Sequence, residues 1–428
     1  MRTPDVVIFP WRRAVAWAPF VLLSANALVT AWVVFHLHPM ETAIYSDMRN
    51  YLVRAWEIDQ GRFDPRHFFQ PIGYTLWIAA AQRLAGGGFW LLKASHVVLV
   101  SMSVYLGWRT ARRLLPGRWD LAALALLSAN VQWWALAGFA LSETLYTFLV
   151  TLLLWTAVRW AQAPTKLLAA AVGLAFAAGF YVKGSAVLFP LLLAAWTLVR
   201  SFADRPALRR GIAHLAIMGA AAATIALSHG VFAHAKYGHF KLGADAGGLN
   251  FVEGKCPSKL NIDSEGTTWH SPLFTYLGEH ERKVWRVPFS DQAFFWREGL
   301  HCVRENPAVL VTSLRYVYYL FAGNPLWPVE FPNRHLAEQV YESLIPTAIV
   351  PLLVISLLAT LIRWRTALAV PALLYASLFF SVWMFKGELR FRIPFDAVTM
   401  IFASFGAATA WQFFVRARRR GQRQITGA

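Results

Sequence analysis

The residues of this sequence with chemistry to offer are ionisable groups at the ends of long apolar runs. Asp47 stands in Tyr45-Ser46-Asp47-Met48-Arg49-Asn50-Tyr51, just beyond the first run, and Glu143 in Leu141-Ser142-Glu143-Thr144-Leu145-Tyr146, at the start of another. Lys183 separates two more. Lys386, Arg390 and Arg392 crowd the segment Lys386-Gly387-Glu388-Leu389-Arg390-Phe391-Arg392-Ile393-Pro394 before the last run. An acidic group at mid-bilayer costs about 2.5–3.5 kcal/mol, so carboxylates beside apolar runs sit at an interface or in a wet cavity. There a carboxylate can take a proton from a hydroxyl, and arginines can hold phosphate with planar, two-pronged donors. Each residue also has a plainer reading. Asp47 can cap a helix, Glu143 can sit in a first turn behind a Ser142 cap, and the cations can snorkel to lipid headgroups.

The elements that must position these groups are helices in a membrane. Of 428 residues 57% are hydrophobic and only 15% charged, against about 25% charged in soluble domains. Mean hydropathy is +0.43. A bilayer crossing takes about 20 apolar residues. Candidate spans are 14–35, 89–108, 121–139, 142–160, 167–181, 185–199, 212–232, 345–362, 367–385 and 393–414. Lipid satisfies no backbone polar group, and these blocks do not alternate as barrel strands would, so helices are expected. The fold class is an all-α membrane protein, a polytopic transmembrane helical bundle of about ten crossings (eight to twelve). Three parts are expected: an N-terminal module over 1–233, a large outer loop over 234–344, and a C-terminal module over 345–428.

The net charge of +18 does not signal nucleic acid, because the arginines fall in short clusters between apolar blocks. One holds Arg109, Arg112, Arg113 and Arg118, another Arg200, Arg205, Arg209 and Arg210; Arg363 and Arg365 follow, then Arg416 to Arg420. Such clusters mark the cytoplasmic side. The first apolar run continues past Ala25-Asn26-Ala27 to Phe35, so it reads as a retained span and not a cleaved leader. With the basic clusters inside, 36–89 and the polar stretch 236–307 lie outside, 308–321 does not cross, and 73–84 is a partial or interfacial helix. Asp47, Glu143, Lys183, Lys386, Arg390 and Arg392 all fall outside. The two cysteines of the chain, Cys256 and Cys302, share the long outer loop; a disulfide in an oxidising compartment is favoured over two separate thiols, and zinc is disfavoured because no Cys-x-x-Cys occurs.

Taken in order, the acidic residue after the first span, Pro71-Ile72-Gly73-Tyr74, Ser142-Glu143-Thr144-Leu145-Tyr146 and Gly387-Glu388-Leu389-Arg390-Phe391-Arg392-Ile393-Pro394 resemble the GT-C superfamily of integral membrane glycosyltransferases. The likeness is nearest the branch of protein mannosyltransferases and aminoarabinose transferases. It covers nearly the whole chain and is weakest over 236–307. It implies an inverting transfer from a polyprenyl-phosphate-linked sugar to a glycan, lipid or protein acceptor, on the periplasmic face of a cell inner membrane. By the same resemblance Asp47 is the base, Glu143 orients a sugar, Tyr74 lines the sugar pocket, and Lys183, Lys386, Arg390 and Arg392 hold the phosphate. Arg390 and Arg392 flank Phe391 and in an extended stretch would share a face. Two departures stand out. Met48 replaces a second acidic residue, which puts a divalent metal in doubt, and Gln70 replaces the first of two prolines. No cofactor is required by this reading, and His270, His280 and His301 fit no metal spacing. The rival is a transporter or flippase for an anionic lipid or sugar; it calls for paired half-structures and midplane charges.

Overall fold

Long apolar blocks with no alternation give helices, and among the described residues the chain is helix and connecting turn throughout. The structure is a computed structural model that describes residues 11–42, 44, 47–256, 292–322, 339 and 343–426. His270 and His280 lie outside those residues. In chain order the helices are α1 (Trp11–Trp32), α2 (Met48–Asp59), α3 (Gly73–Leu84), α4 (Trp90–Leu114), α5 (Trp119–Ser128), α6 (Val131–Ala137), α7 (Ser142–Gln162), α8 (Lys166–Val182) and α9 (Phe189–Ser201). There follow α10 (Arg205–Tyr237), α11 (Gly247–Lys255), α12 (Gln292–Glu305), α13 (Val309–Thr312), α14 (Arg315–Tyr319), α15 (Val350–Ile362), α16 (Ala369–Met384), α17 (Leu389–Arg392) and α18 (Asp396–Thr426).

Seven segments among the described residues are long and apolar enough to cross a membrane: Ala16–Leu37, Trp90–Leu114, Glu143–Gln162, Gly184–Ser201, Arg205–Tyr237, Ile345–Ile362 and Leu389–Arg419. Lys166–Val182 and Ala369–Met384 are apolar but shorter. The candidate span 121–139 is not one helix. It breaks at Asn130, whose side chain accepts from the Gln132 amide (3.1 Å) to cap α6 and donates to Asp396 (3.0 Å). At 1.5 Å per residue neither piece reaches the ~30 Å of a hydrocarbon core. An asparagine in an apolar run is thus spent on a helix start and a cross-bundle contact. The 308–321 segment forms the short α13 and α14, too short to cross, and α3 is a single twelve-residue helix. α10 runs on to Tyr237, past position 233 where the large loop was expected to begin.

Burial ranks the spans. In the most apolar window of α7, 72% of residues are buried, against 11% for α10, so α7 is central and α10 peripheral. α8 and α10 pack closely at Gly173, where a Cβ would stand 2.2 Å from the Met218 carbonyl oxygen; small residues permit such approach in membranes. The basic clusters gather at one end: Arg113 donates to Gln162 (3.2 Å), Trp160 to His214 (3.2 Å), and Trp196 to the Trp364 carbonyl (2.7 Å). Since α4 and α7 run toward that end, the first turn of α7 and the α2–α3 layer lie at the other.

Candidate active site

α2 starts at Asp47, and its inward face is Met48, Tyr51 and Ala55, all buried at helical spacing. Asp47 occupies the N-cap position, yet its side chain makes no capping hydrogen bond. Its carboxylate turns to Arg390, with Nη1 3.4 Å from Oδ2. Arg390 in turn places Nε 2.9 Å from Glu388. The cap reading of Asp47 therefore describes its backbone and leaves its side chain for the cluster.

Across from Asp47, the first turn of α7 supplies Glu143 and the end of α8 supplies Lys183. Lys183 donates to Glu143 Oε1 (2.8 Å), and Ser142 Oγ lies 3.4 Å from Oε2. The Lys183 ammonium stands 4.4 Å from the centre of the Phe391 ring, and the Arg390 guanidinium 5.7 Å from the same ring. Two cations from segments far apart in sequence thus lie against one aromatic ring. Glu388, Glu143 and Asp47 all lie in coulombic range of Arg390. Burial pushes the Glu388 carboxyl up, but Arg390, Lys386 and Lys183 outweigh it and hold it below the usual range. Tyr51 is held above its ordinary value by burial and by the charges of Asp47 and Glu143, so it stays a neutral phenol. Of the carboxylates in this cluster Asp47 is the most open, its side chain 33% exposed against 3% for Glu143.

Two expected site residues, Tyr74 and Arg392, stand apart from this cluster, and Lys386 lies at its edge. Tyr74 is fully buried behind α2, hydrogen-bonded to His96 (3.2 Å) and edge-on to Tyr51 (5.1 Å), so it buttresses α2 and does not line an open pocket. Lys386 pairs with Glu253 of α11 at 2.6 Å. Arg392 faces away from Arg390. Residues 389–392 are helical and not extended, and at about 100° per residue side chains two apart point nearly opposite ways. Arg392 instead bonds Asp396 (2.8 Å), both side chains fully buried. Glu388 and Tyr51 belong to the cluster, though sequence reasoning passed them over. Glu388 was visible as an acid two residues before Arg390, and Tyr51 as the position one helical turn after Asp47.

The donor set does not fit a divalent ion. Met48, where a second carboxylate would stand, is fully buried, and Asp47, Glu143 and Glu388 each face a lysine or arginine. Among the described residues no three His, Cys, Asp or Glu side chains are grouped so as to hold a metal. His301 lies 3.1 Å from Glu305 on the exposed side of α12, away from the cluster.

No family model and no curated protein matches the sequence. Solved structures do match. The Archaeoglobus fulgidus oligosaccharyltransferase, tethered with an acceptor peptide containing the NVT sequon via a disulfide bond, superposes with a TM-score of 0.52 at 14% identity. The match covers 92% of this chain and 50% of that one, so this chain spans about half the length of that protein. The same oligosaccharyltransferase in complex with Zn and sulfate gives the same score. ArnT from Cupriavidus metallidurans, bound to undecaprenyl phosphate, matches at a TM-score of 0.39 and 16% identity, over 92% of this chain and 78% of that one. The likeness is one of architecture: this chain shares the membrane-helix fold of that oligosaccharyltransferase.

Proposed function

We propose that the protein is an inverting glycosyltransferase that moves a sugar from a polyprenyl-phosphate-linked donor to an acceptor hydroxyl, at the outer face of a cell inner membrane. The observation that carries this reading is the open Asp47 carboxylate held against Arg390, with Lys183 on the same Phe391 ring. A lipid-linked sugar already has an anionic phosphate as its leaving group, so it needs cations and a base and no general acid. Arg390 and Lys183 flank a place for that phosphate. When the phosphate draws Arg390 toward itself, Asp47 is released to accept a proton from the acceptor hydroxyl. The acceptor oxygen then bonds to the anomeric carbon from the face opposite the phosphate, and the carbon–phosphate oxygen bond breaks. The polyprenyl phosphate leaves with one further negative charge, stabilised where Arg390 and Lys183 lie. Glu143 is a positioning residue in this scheme, nearly closed off and fixing Lys183 at 2.8 Å.

The bonded pair Cys256 and Cys302 lies at the same end as Asp47, which supports an oxidising, periplasmic side for the site. The test is a transfer assay with purified protein, polyprenyl-phosphate sugars and envelope glycan, lipid and protein acceptors. Glycosylated acceptor and released polyprenyl phosphate are expected. Translocation of the lipid across a vesicle with no bond broken would overturn the reading in favour of a flippase.

A further inference from the structure

Arg390 follows a turn, Phe385–Glu388, that is gripped from the outer loop. Gly254 of α11 lies so near this turn that a Cβ on it would stand 1.3 Å from the Phe385 carbonyl oxygen. On either side of Gly254, Glu253 pairs with Lys386 (2.6 Å) and Lys255 donates to the Trp383 carbonyl (2.5 Å), its ammonium 5.1 Å from that indole. Three consecutive residues of α11 thus contact three points within four residues of α16 and the turn. The side of the turn facing α13 and α14 is held too: Trp383 donates to Leu310 (2.7 Å), and a Cβ on Gly387 would meet the Tyr316 carbonyl at 2.7 Å. α11 itself is fixed to α12 by the Cys256–Cys302 bond, which joins residues 46 apart, and by Phe251 on Trp296 (4.5 Å). Trp296 reaches on to Phe385 (6.1 Å).

We infer that α11 and α12, locked by the Cys256–Cys302 bond, are a positioning element for Arg390, with Glu253 and Gly254 the residues that transmit it. The physical chain is short. The bond fixes the end of α11, α11 fixes the Phe385–Glu388 turn, and the turn sets where Glu388 and Arg390 stand relative to Asp47. Gly254 is required because any side chain would push the turn away. Glu253 is nearly buried, so its pairing with Lys386 resists solvent screening better than an exposed ion pair. The large outer loop therefore acts on the donor end of the reaction, and not on the acceptor alone. This inference rests on the reading of Arg390 as the phosphate-holding residue.

The test uses the full chain in lipid nanodiscs and undecaprenyl phosphate as probe. Binding is measured for wild type, Glu253→Gln, Gly254→Ala, a Cys256→Ser/Cys302→Ser double variant, Arg390→Ala, and each of the three outer-loop variants combined with Arg390→Ala. Each outer-loop variant is expected to weaken binding about tenfold alone, within the range of coupling between contacting residues, and to add nothing once Arg390 is alanine. Hydrogen exchange over 385–394 should quicken in the same variants while α7 exchange stays constant. Full additivity with Arg390→Ala, or unchanged binding and exchange in Glu253→Gln and the serine variant, would overturn the inference. A wild-type chain with no affinity for undecaprenyl phosphate would instead overturn the phosphate reading itself. In that event the exchange data still decide whether α11 controls the turn.

Discussion

Arg390 and Arg392 share one motif and each faces an aspartate, yet they occupy opposite surroundings. Arg390 meets Asp47 at 3.4 Å with 33% of the aspartate side chain exposed, and it divides itself between Asp47 and Glu388. Arg392 meets Asp396 at 2.8 Å with both side chains at 0% exposure, and Asn130 and Thr399 bond the remaining carboxylate positions at 3.0 Å. The first pair is loose, shared and reachable. The second is dry, with three side chains gathered on one buried carboxylate. A guanidinium that must let go of one anion to take another belongs in the first kind of site, and a helix joint in the second. Residue type alone does not separate these roles; access to solvent does.

The comparison breaks most directly at the carboxylates. Asp47→Asn keeps shape and removes the proposed base, so transfer is expected to fall about 10²–10⁴-fold while the protein inserts and purifies normally. Turnover close to wild type in that variant removes Asp47 from the chemistry. Asp396→Ala should do the reverse. It strands a buried guanidinium, at a cost of about 3–5 kcal/mol in stability, and lowers yield and Tm before any kinetic constant can be read. An Asp396→Ala protein with normal Tm and impaired donor use would exchange the two roles.

The arginines give the next largest effect. Arg390→Ala should raise the donor KM roughly ten- to a hundredfold, the loss of one or more hydrogen bonds to a charged group, with acceptor KM and Tm little changed. Arg390→Lys should recover part of this, because an ammonium cannot reproduce the planar fork. If lysine restores donor use completely, Arg390 is only a positive charge near headgroups. Arg392→Lys should leave donor KM alone and lower Tm.

Much of this was legible in the sequence. The bundle followed from apolar block length, and the meeting of Asp47, Glu143, Lys183 and Arg390 at one end from charges placed against it. Where reading failed, local conformation or a distant partner was the missing information. The 389–392 segment is helical, which turns Arg392 away from Arg390 toward Asp396. Asn130 breaks a run that composition marks as one span, because it satisfies a helix start and Asp396 at once. Tyr74 looked like a pocket residue because it follows a family-like Pro-Ile-Gly; its partner His96, 22 residues later, ties it into the interior. The Glu253–Lys386 pair joins residues that no local pattern connects.

A third buried cation extends the comparison in the other direction. Lys255 is fully buried, and the groups it meets, the Trp383 carbonyl and indole, are neutral, whereas Arg392 has a carboxylate. Burial pushes the Lys255 ammonium down to about 8. An unfolded lysine titrates near 10.4, so between about pH 8 and 10.4 the unfolded chain binds more protons than the folded one. Stability from this group therefore rises with pH through that window, and below about pH 8 the full cost of the buried charge is present. Lys255→Met keeps the packing and removes the charge. It should melt above wild type near pH 7, stabilised by at most the ~3 kcal/mol that such a shift represents, and the gap should close as pH approaches about 10. Arg392→Met should show no such convergence, because a guanidinium stays charged throughout. Tm measured for both variants and wild type at matched ionic strength decides it: a Lys255→Met gap that holds constant with pH, or one of opposite sign, means that the indole and carbonyl compensate the ammonium as fully as Asp396 compensates Arg392.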